Sequence, residues 1–215
     1  ILEDLGLLGV TPDRVSHTSD FFDVIQDFAW KAVREGKAYM DDTPTEQMRD
    51  ERMRGVAGKR RDSTIAENEE RFALLLRGGE EALGWCLRAK FDMAHKNSTL
   101  RDPVLFRGNQ GTPHVRTGTR YKAYPTYDLA CPIVDALEGV THAMRTTEYY
   151  ARDEQYAWVA RMLGLREVPI VSFSRVNFNY TVLSKRKLTW FVETGQVEGW
   201  DEARFPTLRG VLRRG

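Results

Sequence analysis

The stretch Tyr124-Pro125-Thr126-Tyr127-Asp128-Leu129-Ala130-Cys131-Pro132-Ile133-Val134-Asp135-Ala136-Leu137-Glu138-Gly139-Val140-Thr141-His142-Ala143-Met144-Arg145-Thr146-Thr147-Glu148-Tyr149 decides how this chain folds. Strand and helix signals begin at Tyr124 and continue to Leu165. Taken alone, Tyr127 and His142 read as aromatic residues of a packed helix and strand. Val140 to Met144 is an apolar, strand-like run that delivers Arg145, where an unpaired cation would be costly to bury. A structural ion pair, for example to Glu148, would satisfy it.

Working outward, Ile1 to Gly9 reads as the tail of an amphipathic helix closed by glycine. A short strand is expected at Arg14–His17. Thr18-Ser19-Asp20 supplies an N-cap for a helix from about Phe21 to Glu35, ended by Gly36, and Lys37–Met40 forms the next strand. This succession predicts a layered α/β domain with parallel strands. The composition changes at Asp41-Asp42-Thr43-Pro44. A highly charged helix is expected over Thr45–Arg54 and another from about Ser63 to Leu76. Strand-like segments follow at Trp85–Asp92 and Asp102–Arg107. That middle block has the character of an inserted module. From Val171 the elements shorten and arginine accumulates.

The bulk properties exclude several classes. Hydrophobic residues make up 41% and charged residues 29% of 215 residues, which fits a globular chain with a sizeable core. The net charge is +1, so any affinity for nucleic acid must come from local clusters. No apolar run approaches the ~20 residues of a membrane span, and no secretory signal is present. Cys86 and Cys131 match no zinc or redox spacing, which points to a reduced, intracellular chain without a protein-bound metal.

Ser174-Arg175-Val176-Asn177-Phe178-Asn179-Tyr180-Thr181-Val182-Leu183-Ser184-Lys185-Arg186-Lys187-Leu188 carries the second constellation. Three cations beside a serine, after an extended polar stretch, suit a loop that grips polyphosphate. Val182-Leu183-Ser184-Lys185-Arg186 resembles the KMSKR loop of class I aminoacyl-tRNA synthetases in the form typical of the glutamyl and glutaminyl branch. Val182 stands where the general motif has lysine, a departure shared by that branch. The Tyr124–Tyr149 block resembles the second half of the same family's Rossmann domain.

The resemblance extends over nearly the whole chain, and several expectations follow from it. The fold is α/β: a Rossmann-type class I catalytic domain with an inserted α/β acceptor-binding module and a following helical segment bearing the lysine loop. The domain's two parts would occupy residues 1–42 and 124–170, the module 43–123, and the loop with a tRNA-stem contact segment 171–215. Lys185 would stabilise charge developing on the ATP phosphates, with Ser184 supporting the loop, while Arg175, Val176 and Leu183 lie beside the nucleotide. Tyr127 falls where the family binds the amino acid. Cys131 takes a position that is histidine in some glutaminyl relatives. Glutamyl enzymes carry arginine where Arg145 stands, and glutaminyl enzymes usually carry cysteine. A guanidinium pairs bidentately with a γ-carboxylate but leaves its charge imperfectly satisfied by an amide. The resemblance is therefore to the glutamyl enzymes of the eukaryotic cytosolic type.

The same resemblance implies glutamate, ATP with Mg2+ and tRNA(Glu) as substrates, a cytoplasmic location, and other synthetases or scaffold proteins as partners. Basic residues Arg49, Arg52, Arg54, Lys59, Arg60 and Arg61 in the module, with Arg204, Arg209, Arg213 and Arg214 near the end, would meet tRNA phosphates, and Arg152 or Asp153 would replace the base-reading contact near the acceptor end. Leu100-Arg101-Asp102-Pro103-Val104 matches a recurrent strand of the module. Ala151 stands where relatives often carry a base-reading aspartate. The family's HIGH motif would precede Ile1 and its anticodon-binding region would follow Gly215, so the isolated 215-residue chain is expected to be inert. A glutaminyl enzyme and a non-catalytic tRNA-binding or scaffold paralogue are the rival readings.

Overall fold

A computed structural model describes residues 2–109, 111–175 and 179–213. The chain divides into two compact units, one formed by residues 16–173 and the other by residues 1–15 with 174–215.

In the larger unit, helix α2 (Phe22–Arg34) buries Phe22, Ile25, Ala29, Ala32 and Val33, a stripe at helical spacing; helix α1 (Leu2–Leu7) belongs to the smaller unit. Asp20 does not cap α2. Its carboxylate accepts from the His17 backbone N–H at 2.9 Å, inside a short 3-10 turn at Thr18–Phe21, and Phe21 occupies the N-cap position. The expected strand at Arg14–His17 does not form. Strand β1 (Ala38–Asp41) follows α2, and helix α3 (Thr45–Arg54) has the predicted bounds with Glu51 as its buried residue. Gly55 ends α3 at φ 69°, where a Cβ would also lie 2.9 Å from the Met93 carbonyl oxygen. Helix α4 (Ile65–Arg77) begins at a reciprocal Thr64–Glu67 capping box.

Strands β1, β2 (Cys86–Ala89), β3 (Val104–Gly108) and β4 (Ala123–Pro125) form one sheet in sequence order. Every neighbouring pair is antiparallel. This corrects the expectation of a parallel partner for the Lys37–Met40 strand. Strand alternation sends Ala38, Met40, Leu87 and Ala89 into the main hydrophobic cluster with Phe72, Leu75 and Phe106. The intervening Tyr39, Asp41 and Arg88 meet in a buried polar network instead. Asp102, left-handed at φ 43°, is its hub. Its carboxylate accepts from Tyr39 Oη at 3.1 Å, Arg61 Nε at 2.7 Å and the Phe91 N–H at 2.7 Å, and its carbonyl accepts from Arg88 Nε at 2.9 Å.

Helix α5 (Tyr127–Leu137) leads to β5 (Ala143–Thr146), a 3-10 turn at Thr147–Arg152, helix α6 (Asp153–Leu163) and β6 (Ile170–Phe173). β5 and β6 pair in parallel, with Arg145 opposite Ser172, so α6 is the crossover of a βαβ unit. The parallel character expected from the sequence resides here.

In the smaller unit, Arg209 ties helix α8 (Leu208–Arg213) to α1 (Leu2–Leu7) through Glu3 at 2.6 Å and Asp4 at 2.9 Å. Leu188 on α7 (Lys185–Glu193) and Phe205 are buried. Gly210 is required in α8, because a Cβ there would stand 2.4 Å from the Phe205 carbonyl oxygen.

Candidate active site

In the larger unit a cavity of ≈590 Å³ opens between α5, β5 and the 3-10 turn that follows it. Tyr127, the first residue of α5, is 79% exposed and forms part of its wall. Arg145, Arg52, Arg152 and Cys131 line the same space, together with Arg107, Asp128, Tyr149 and Gln155. The structure thus brings together residues to which the family resemblance gives separate roles, toward glutamate and toward tRNA.

Arg145 donates from Nη2 to Asp135 Oδ2 at 2.9 Å, and its guanidinium lies 5.4 Å from the centre of the Tyr149 ring. Its Nε is buried and finds no hydrogen-bond partner among the described residues. Gln155 is 1% exposed, and its Nε2 is likewise unpartnered. Two buried donors among the residues lining one cavity can be answered by an acceptor on a ligand or by water, and a buried unsatisfied donor costs about 1–3 kcal/mol.

The charges sharpen that requirement. The lining holds four arginines, Arg52, Arg107, Arg145 and Arg152, against the single carboxylate of Asp128. Arg152 pairs with Asp128, and Arg145 with Asp135. Arg52 donates to neutral acceptors, the carbonyls of Arg101 and Ser98, each at 2.9 Å. Its pKa is pushed down, chiefly by burial. Arg107 makes no side-chain hydrogen bond or ion pair among the described residues. Two positive charges therefore remain uncompensated, which suits an anion. Burial pushes the Cys131 thiol above its ordinary pKa and the Tyr149 phenol up to about 12, so both stay neutral near pH 7.

The other sequence-assigned cations of the module lie apart from this cavity. Arg60 forms a two-point pair with Asp42 at 3.1 and 3.0 Å and stacks over Trp85 at 5.3 Å. Arg61 is held by Asp102 and by the Phe91 carbonyl at 2.8 Å. Arg49 is exposed and pairs with Glu46 at 3.3 Å.

In the smaller unit Ser184 is the N-cap residue of α7, and Lys185, Arg186 and Lys187 are exposed on its first turn. A helix N-terminus carrying three cations favours an anion such as phosphate. Leu188 behind them is buried and anchors the turn. Leu183 and Arg175 precede the helix, while Val176 and Arg214 lie outside the described residues. Arg204 pairs with Glu202 at 3.1 Å and lines a separate cavity of ≈580 Å³. Among the described residues no group of three or more His, Cys, Asp or Glu could hold a metal ion, and no helix is long and apolar enough to cross a membrane.

Sequence reasoning missed Arg107, Asp135, Tyr156 and Gln155. Asp135 Oδ2 also accepts from Tyr156 Oη at 2.9 Å, and neither spacing nor composition signals that convergence.

Comparison with known proteins supplies the family. Residues 1–215 match the tRNA synthetases class I (E and Q), catalytic domain. Over its full length the chain is 55% identical to the cytoplasmic glutamate–tRNA ligase of Saccharomyces cerevisiae, covering 30% of that protein. It is 53% identical to the bifunctional glutamate/proline–tRNA ligase of Mus musculus, covering 14% of it. The chain thus spans under a third of the length of these relatives. The crystal structure of a glutamate tRNA ligase from Elizabethkingia meningosepticum in complex with its amino acid superposes with a TM-score of 0.55 at 19% identity. That match covers 88% of this chain and 42% of the other, and shows the class I fold alone.

Proposed function

The chain belongs to the catalytic-domain family of class I tRNA synthetases for E and Q, and from that premise we propose that it is part of a glutamate–tRNA ligase. In this reading the Arg145 cavity takes glutamate. Its α-carboxylate attacks the α-phosphorus of ATP, forming a P–O bond as the bond to pyrophosphate breaks. The glutamyl group then passes from the adenylate to the terminal adenosine of tRNA(Glu), releasing AMP. The observation that carries the reading is Arg145, with unpartnered donors beside it in a cavity of excess positive charge. A guanidinium edge answers a γ-carboxylate with two parallel hydrogen bonds, whereas an amide offers it only one acceptor.

Each remaining residue has a role of its own kind. Tyr127 packs against the amino-acid substrate. Lys185 and Leu183 hold the phosphates of ATP, which brings its own Mg2+; Ser184 supports the loop, and Arg175 and Val176 lie at the nucleoside. Charge stabilisation and proximity carry the first step. Arg49, Arg52, Arg60, Arg61, Arg152 and Arg204 serve the tRNA. Of these, Arg204 and Arg49 are the most exposed to phosphate, while Arg61 and Arg52 support the module's surface from within. Residues 43–123 act as the acceptor-binding module between the two parts of the catalytic domain, 1–42 and 124–170, with 171–215 as the lysine loop and stem-contact segment. The enzyme works in the cytoplasm, and other synthetases or scaffold proteins are its candidate partners.

The test is amino-acid-dependent ATP–pyrophosphate exchange by the full-length protein with tRNA present. Exchange driven by glutamate and not by glutamine is expected; exchange driven by glutamine alone would refute the assignment.

A further inference from the structure

Arg145 is useful to a ligand only if its guanidinium keeps one orientation, and its immediate supports come from three different elements. Asp135 sits ten residues upstream, near the end of α5, and its Oδ2 accepts from both Arg145 Nη2 and Tyr156 Oη at 2.9 Å. Tyr156, on α6, is 2% exposed. Burial, reinforced by the hydrogen bond to Asp135, holds its phenol far above the ordinary range, so its hydroxyl remains a donor. The Tyr149 ring packs against the same guanidinium. Neither Asp135 nor Tyr156 lines the cavity.

The charges divide in an informative way. Asp135 compensates Arg145, and Asp128 compensates Arg152, so the net positive field of the cavity comes from Arg52 and Arg107. Attraction of an anion and reading of its geometry are thereby assigned to different arginines.

We propose that Asp135 and Tyr156 are positioning residues for Arg145, and that they convert a cation into a directional reader of side-chain length rather than a general anion trap. This rests on the glutamate reading above. A locked guanidinium meets a γ-carboxylate at one reach only, whereas an unlocked one follows the carboxylate of a shorter dicarboxylic acid.

The experiment compares Asp135→Asn and Tyr156→Phe with the wild type in the full-length protein. Pyrophosphate exchange is measured with glutamate and with aspartate, and ATP is titrated in parallel. Asp135→Asn is expected to raise the glutamate KM about tenfold with kcat changed less than about threefold, and to leave the ATP KM unaltered. Its glutamate-over-aspartate discrimination should shrink by a similar factor, because attraction to charge persists while the geometric lock is lost. Tyr156→Phe should move the same quantities in the same direction by about threefold, and it decides the matter if Asp135→Asn does not fold. Unchanged discrimination in the folded variants, or equal losses in glutamate KM, ATP KM and kcat, would overturn the proposal. A wild type that activates no glutamate would instead remove the functional reading on which it rests.

Discussion

Arg88 and Arg145 are built from the same parts and behave differently. Each pairs with one aspartate, Asp41 at 2.6 Å or Asp135 at 2.9 Å, and each stands over a tyrosine ring, at 5.5 or 5.4 Å. Arg88 is fully buried, and its Nε is answered by the Asp102 carbonyl. The side chain of Arg145 is 27% exposed, and its Nε has no partner among the described residues. The first site is closed from within and holds β1, β2 and the Asp102 turn together. The second runs out of internal partners at the wall of a cavity. Incomplete satisfaction, rather than burial or charge alone, is what separates an arginine available to a substrate from one that serves the fold.

Breaking the closed site should have the largest effect. Arg88→Met strands Asp41 in the core and should lower unfolding stability by about 3–5 kcal/mol in chemical denaturation. A loss below about 1 kcal/mol would mean that water reaches Asp41. At the open site the effect should move from stability to function. Arg145→Cys is expected to reduce kcat/KM for glutamate about a hundredfold in pyrophosphate exchange, with the ATP KM within about twofold and the melting temperature nearly unchanged. A melting temperature that falls as far as that of Arg88→Met would place both arginines in the same structural class.

The exposed cations extend the contrast. Lys185→Ala should lower kcat in the exchange assay by about tenfold or more, through lost charge stabilisation and without a change in thermal stability. The smallest effect concerns Asp42, whose carboxyl is held below the usual carboxylate range by hydrogen bonds from Arg60 and then Lys59. A carboxylate with a lowered folded pKa contributes stability that is present above its unfolded value, about 3.9, and is lost as pH falls through the folded pKa. Arg60→Met should therefore remove under about 1 kcal/mol at pH 7, and less as acid protonates Asp42 in both states, read from denaturation curves at pH 7 and pH 3.

Much of the local structure was legible. The bounds of α3 follow from Pro44 and Gly55, and the α2 stripe follows from its apolar spacing. The candidate site was legible in part: Tyr127 and Arg145 were singled out, and they line one cavity. Arg52 and Arg152 were singled out for another role, because nothing local reports that they face the same space. The Arg14–His17 strand failed because alternation without a partner strand has no ladder to join. β1 was expected to pair in parallel because a helix preceded it, yet its neighbours lie at Cys86 and beyond. The pattern at Asp102–Arg107 predicts a strand that includes Asp102, whereas the left-handed backbone there turns its carboxylate into a buried hub.

What the amino-acid sequence determined by itself is whatever depends on neighbours in the chain: helix spans and ends, the cation cluster before α7, and the residue types able to bind an anion. Only the tertiary structure decided strand pairing, which cations are compensated, and which donors are left over. Those properties depend on groups brought together across long sequence separations, such as Asp41 with Arg88, and on the desolvation that their shared burial imposes.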